Sequence, residues 1–171
     1  MALHEQAVGA TSEWYTPPHV FEALGCTFDI DVAAAPLGTT PWIPARRFIH
    51  ANSLDKPWSG FIWMNAPFGE RMGLLPWLRK FIKHRNGIAL VPDRTSCPWW
   101  QEIAPQADAV LFTTGKLKFI PGNNQKNGSP AQGTCLFGIG NKAIKALMRA
   151  EVHELGILLW PKRSGGAEGP T

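Results

Sequence analysis

The chain has 171 residues, 44% of them hydrophobic and 18% charged, so it can bury one sizeable core and is excluded from the disordered class. Seventeen Lys and Arg against thirteen Asp and Glu leave a formal net charge of +4, which suits a polyanionic partner and equally describes a basic protein without one. Cys26, Cys97 and Cys135 form no CxxC or Cys/His ligand pattern and no long apolar run opens the chain; the sequence thus predicts a reduced, intracellular setting with no metal site, disulfide framework, signal peptide or membrane span.

Residues 1–10 carry no pattern and read as a flexible N-terminus. Thr16, Pro17 and Pro18 precede an amphipathic run to Leu24, a helix with proline in its first turn. Residues 27–32 (TFDIDV) alternate and read as a strand with the Asp31 carboxylate at its end. The Ala- and Pro-rich stretch 33–44 reads as a loop. Residues 47–49 read as a short strand, and the wholly apolar 61–64 (FIWM) as a buried one. Leu75, Leu78 and Ile82 mark a helix over 74–84, with Lys and Arg on its other face. A strand begins at Gly87 and a helix at Pro98; 109–113 and 134–139 read as strands. Asn141 is the expected cap of a helix to Ala150, 155–160 is a last strand, and the polar, Gly-rich 162–171 is a disordered tail. Residues 11–161 then form a single α/β domain: a mixed, mostly parallel sheet with flanking helices, in which 109–113 and 134–139 are candidates for antiparallel pairing.

The tetrapeptide Asn65-Ala66-Pro67-Phe68 follows the apolar strand directly, where active sites of open α/β sheets collect. Its residue types suit methylation of an aromatic exocyclic amine, a poor nucleophile because its lone pair is delocalised into the ring. The Asn65 side-chain oxygen and the Ala66 carbonyl can accept the two amine hydrogens and hold the lone pair toward an incoming methyl group. Pro67 stiffens the turn, and Phe68 offers a face for a base taken out of its helix. Taken alone, the four residues also describe a structural turn.

Their surroundings resemble the phage-type, Dam-like DNA N6-adenine methyltransferase family. The resemblance runs over about residues 12–140 and rests on Trp14-Tyr15-Thr16-Pro17, Asp31-Val32-Ala33-Ala34, Trp58-Ser59-Gly60, Asn65 to Gly69, Leu90-Val91-Pro92, Trp99-Trp100 and Gly115-Lys116-Leu117-Lys118-Phe119, in that order. Ala66 departs from the family's usual proline but keeps the backbone carbonyl. The resemblance implies an abbreviated Rossmann-like fold, S-adenosylmethionine as cofactor, double-stranded DNA as substrate, a flipped adenine, no metal, and a bacterial cytoplasm if the chain is phage or prophage encoded. It implies catalytic roles for Asn65, Ala66, Pro67 and Phe68. For the cofactor it implies Trp14, Thr16, Pro17, Asp31, Ala33 and Asn65, with Asn52 and Asp55 as further candidates. Each has a plainer reading: Thr16-Pro17 also suits a helix cap and first-turn proline, Asp31 a loop cap, and Asn52 and Asp55 an Asx-turn. No GxGxxG cofactor loop is present, and 34 positions from Asp31 to Asn65 leave room only for a shortened or reordered sheet.

For DNA, Lys116 and Lys118 fall on one face of an alternating segment, Lys126 sits in an amide-rich loop over 121–132, and Arg94 follows the strand ending at Pro92. Arg46, Arg47, Arg71, Arg79, Lys80 and Lys83 are weaker phosphate candidates, since the 79–85 cluster equally reads as a solvated helix face. Two alternatives stay open: an RNA or protein amine methyltransferase with the same loop, and a non-catalytic nucleic-acid-binding protein of methyltransferase descent.

Overall fold

The computed structural model describes residues 14–68, 73–122 and 132–162. Strand β1 (Trp14–Tyr15) leads into α1 (Pro18–Leu24), then β2 (Phe28–Asp31), β3 (Ala45–Phe48) and β4 (Ile62–Met64). Helix α2 (Leu74–His84), β5 (Gly87–Pro92) and α3 (Pro98–Ile103) follow. The chain closes with β6 (Ala109–Thr113), β7 (Ile120–Pro121), β8 (Thr134–Ile139), α4 (Asn141–Val152) and β9 (Gly156–Leu159). Every strand and helix expected between 16 and 160 is present, with ends shifted by no more than a few residues.

Seven strands form one sheet in the order β3-β2-β4-β5-β8-β6-β9, and β1 pairs with β7 in a separate antiparallel ribbon. The pairs β2–β3, β2–β4 and β4–β5 are parallel; β5–β8, β6–β8 and β6–β9 are antiparallel. The sheet is therefore mixed, and the hairpin-like return from β6 to β8 is antiparallel. A parallel majority holds for strand direction but not for strand pairing, because β8 and β9 are interleaved with β6 rather than gathered at one edge.

Period-2 alternation along the strands divides the core between two faces. On β5, Ile88 and Leu90 join Phe28, Trp63, Leu111 and Leu136 under α1 and α4. Ala89 and Val91 join Ile30, Ile62, Met64 and Phe137 under α2 and α3. Both β5 and β8 are buried along their whole length, as strands covered on both faces must be.

Two local details differ from expectation. Asn141 is the first residue of α4 and not its cap. The cap position belongs to Gly140 at φ 92°, a conformation a side chain opposes, and it makes no side-chain capping bond. At α1 the cap position is Pro17 and Pro18 begins the helix, so Thr16 lies outside it.

The shortened route from Asp31 to Asn65 is explicit. Residues 32–44 and 49–61 contain no helix or strand, and edge strand β3 alone stands between β2 and β4 in the chain. In the sheet β2 and β4 are neighbours, with Asp31 opposite Trp63. That register brings the carboxyl ends of the two strands side by side.

Candidate active site

At this edge of the sheet lies a cavity of about 510 Å³. It is lined by Trp14, Thr16, Asp31, Ala33, Asn52, Asp55, Asn65 and Pro67, eight of the residues expected from sequence, together with further side chains from the 33–55 loops. Pro17 and Ala66 are buried outside the lining. Phe68 is half-buried against the core cluster under α2 and α3 and is not part of the lining either.

The Asn65 amide has a defined orientation. Its Nδ2 donates to the Trp14 carbonyl at 2.9 Å and to the Thr16 hydroxyl at 3.2 Å. A main-chain carbonyl can only accept, so the nitrogen must be the atom facing it. The Asn65 Oδ1 is left as an acceptor in a side chain that lines the cavity. Thr16 is itself held: fully buried, its carbonyl accepts from Trp42 Nε1 at 2.9 Å. Thus the Thr16 hydroxyl serves Asn65 and not the start of α1.

Asp31 is 2% exposed. Its Oδ1 accepts from the Ala33 N–H at 3.1 Å, a bond of the strand-end loop kind. Burial pushes the carboxyl up to a pKa of about 7; the Ala33 N–H and the nearby His50 act in the opposite direction and are outweighed. A carboxyl so placed can be neutral or ionised near neutrality and gains most from a ligand that donates hydrogen bonds to it.

The third wall is the turn over 52–55. Asp55 N–H donates to the Asn52 carbonyl at 3.1 Å, and Asn52 takes φ 54°, the left-handed region that asparagine tolerates better than most residues. Trp58 Nε1 fixes the turn from behind through the Ser53 carbonyl and hydroxyl, at 3.1 and 3.0 Å.

Sequence reasoning missed several lining residues, among them Tyr15, His50, Ser53 and Trp77. Trp77 lies one turn before Lys80 on α2, at helical spacing from the buried Leu74 and Phe81, and packs part-buried against the core cluster they belong to. An aromatic at that spacing reads as core, so no sequence signal set it apart as a lining residue.

The cationic candidates divide. Lys116 and Lys118 are exposed while Leu117 and Phe119 are buried, so the alternating segment presents its lysines to solvent as expected. Arg94 is exposed, with Nε donating to Gln132 Oε1 at 2.6 Å. None of the three lines the cavity. Arg79 is engaged with both Glu102 oxygens at 2.8 and 3.0 Å, Arg47 with Ser59, and Lys80 with three main-chain carbonyls, which removes Lys80 from the phosphate candidates. Lys126, Arg71, Gly69 and the terminal segments 1–13 and 163–171 lie outside the described residues. Among the described residues no helix is long and apolar enough to cross a membrane, and no group of three or more His, Cys, Asp or Glu is placed to hold a metal ion.

A family model described as DNA N-6-adenine-methyltransferase (Dam) matches residues 6–149, most of the chain and all of the cavity lining. No curated protein and no solved structure matches.

Proposed function

The chain belongs to the DNA N-6-adenine-methyltransferase (Dam) family, and from that premise we propose that it transfers a methyl group from S-adenosylmethionine directly to N6 of an adenine turned out of double-stranded DNA. The observation that carries this reading is the anchored Asn65 amide. Its nitrogen is occupied by Trp14 and Thr16, and its oxygen, without a partner among the described residues, can accept an amine hydrogen at the cavity.

The residues around the cavity fit S-adenosylmethionine. A buried carboxyl on Asp31 can accept from ribose hydroxyls or from the amino-acid part, and the small side chains at 33–35 let the backbone approach closely. The polar turn with Asn52 and Asp55 offers donors and acceptors to a purine, and Thr16, with Pro17 behind it and Trp14 beside it, would border the methionine end. When bound, S-adenosylmethionine supplies an electrophilic methyl group on its sulfonium. Asn65 Oδ1 and the Ala66 carbonyl would accept the two hydrogens of N6 and direct its lone pair at that methyl. Ala66 serves through its main chain, so a 2% exposed methyl in place of a proline ring keeps the chemistry. Once the methyl has moved, N6 is cationic and acidic and sheds one hydrogen as a proton to water, so neither a covalent enzyme intermediate nor a strong base is needed, and alignment supplies most of the acceleration. Pro67 lines the cavity, and we assign the next residue, Phe68, to the target base, which it would reach by leaving its half-buried packing outside the lining. Lys116, Lys118 and Arg94, with Lys126, supply phosphate contacts in an Rossmann-like methyltransferase acting in the cytoplasm.

The direct test incubates the protein with methyl-labelled S-adenosylmethionine and unmethylated duplex DNA, RNA or protein, followed by analysis of the labelled product. N6-methyladenine in DNA is the expected product. Label confined to RNA or protein would move the activity to those substrates, and no transfer to any of them would leave a non-catalytic binding protein.

A further inference from the structure

Lys80 stands on α2 outside the cavity lining, yet it is tied to the wall that the cavity depends on. Its Nζ donates to the carbonyls of Ser53 at 2.9 Å, Leu54 at 2.8 Å and Lys56 at 2.5 Å. Those three bonds use all three ammonium hydrogens. The same ammonium lies 4.6 Å from the Trp58 ring centroid, and Trp58 in turn donates to Ser53. Three carbonyl oxygens converge on one point and would repel one another without a cation between them. The turn they belong to contributes Asn52, Ser53, Leu54 and Asp55 to the cavity. One turn earlier on α2, Trp77 enters the same cavity and packs on Trp58 at 6.2 Å. A single helix thus supplies one side chain to the site and one to the underside of its wall.

Resting on the reading of this cavity as the S-adenosylmethionine site, we propose that Lys80 is a positioning residue for the cofactor: its ammonium gathers the carbonyls of Ser53, Leu54 and Lys56 and thereby sets Asn52 and Asp55 against the ligand. Lys80 does not reach the reacting atoms, which lie by Asn65. Its loss should therefore appear in cofactor affinity and leave the chemical step alone once cofactor saturates. An arginine keeps the charge but spreads its N–H groups in a plane, so it cannot focus three donors on one point.

The experiment measures S-adenosylmethionine affinity by calorimetry and single-turnover methylation of duplex DNA at saturating cofactor, for the parent, Lys80→Met and Lys80→Arg, with melting curves alongside. Lys80→Met should bind cofactor about tenfold or more weakly, the scale of lost charged hydrogen bonds, with a saturated rate within about threefold of the parent. Lys80→Arg should fold and fall between the two. A structural role alone would lower the melting temperature and leave the affinity of the folded protein unchanged. Parental affinity in a folded Lys80→Met overturns the inference; if that variant does not fold, parental affinity in Lys80→Arg overturns it. A parent that binds no S-adenosylmethionine fails the functional reading instead, a distinct result.

Discussion

In the proposed cofactor site, Asp31 would join the fold to the ligand through its proton. With its pKa lifted to about 7 by burial, a large share of the carboxyl is neutral below that pH. A ligand that donates hydrogen bonds to Asp31 binds the ionised form and expels that proton. Affinity for S-adenosylmethionine should therefore rise by about tenfold from about pH 6 to about pH 8, following the ionised fraction. The sign for stability is opposite. The folded chain keeps a proton that the unfolded chain, with the ordinary value of 3.8, has released; Asp31 thus lowers stability progressively as pH rises between those two values. Asp31→Asn should flatten the affinity slope, weaken binding at alkaline pH, and melt higher than the parent there. Calorimetry and melting curves at both pH values check this, and an unchanged slope in the variant would assign the proton to another group. An acid at the end of an alternating strand is visible in sequence. Its proton affinity is not, because it depends on the enclosure that the folded chain builds around the strand end, to which His50 is brought from 19 positions away.

Among the elements, the β1–β7 ribbon links the two halves of the proposed activity. Trp14 pairs with Pro121 and Tyr15 with Ile120, so the strand that holds the Asn65 amide is bonded to the segment carrying Lys116 and Lys118. Duplex binding should weaken steeply with salt, because phosphate contacts release counterions. Lys116→Ala and Lys118→Ala should each lower DNA affinity and reduce the salt slope by about 1, with cofactor affinity unchanged. Titration of labelled duplex at several salt concentrations tests it; parental affinity and slope in both variants would take the DNA face elsewhere. Helix α2 was legible to its ends from the spacing of Leu75, Leu78 and Ile82. The task of Lys80 was not, because a lysine on the polar stripe reads the same whether water or three carbonyls from residues 53–56 receive it. The cap of α4 was misplaced by one residue for a related reason: a Gly at positive φ does by backbone conformation what an Asn is expected to do by side chain.

At the scale of the whole molecule, strand types and order along the chain could be read from apolar periodicity, whereas strand order in space could not. Thirty-four positions between Asp31 and Asn65 gave no hint that β2 and β4 are adjacent, since pairing of parallel strands leaves no local signature. That adjacency, with β1 brought back over the same edge, converts scattered motifs into one cavity with an oriented amide. In the proposed reaction, that arrangement holds Asn65 Oδ1 where an amine hydrogen can meet it. Asn65→Ala should still fold, because its side chain is only half-buried, with a melting temperature lowered by the Trp14 carbonyl and Thr16 hydroxyl it leaves unpaired, and saturating cofactor offsets any affinity it loses. The decisive measurement is the single-turnover rate of N6-adenine methylation of duplex DNA by this variant at saturating cofactor. A fall of about 10²–10³, the scale of a lost directional group in a preorganised site, is the predicted result; a well-folded, cofactor-binding Asn65→Ala protein that methylates at the parental rate would contradict it.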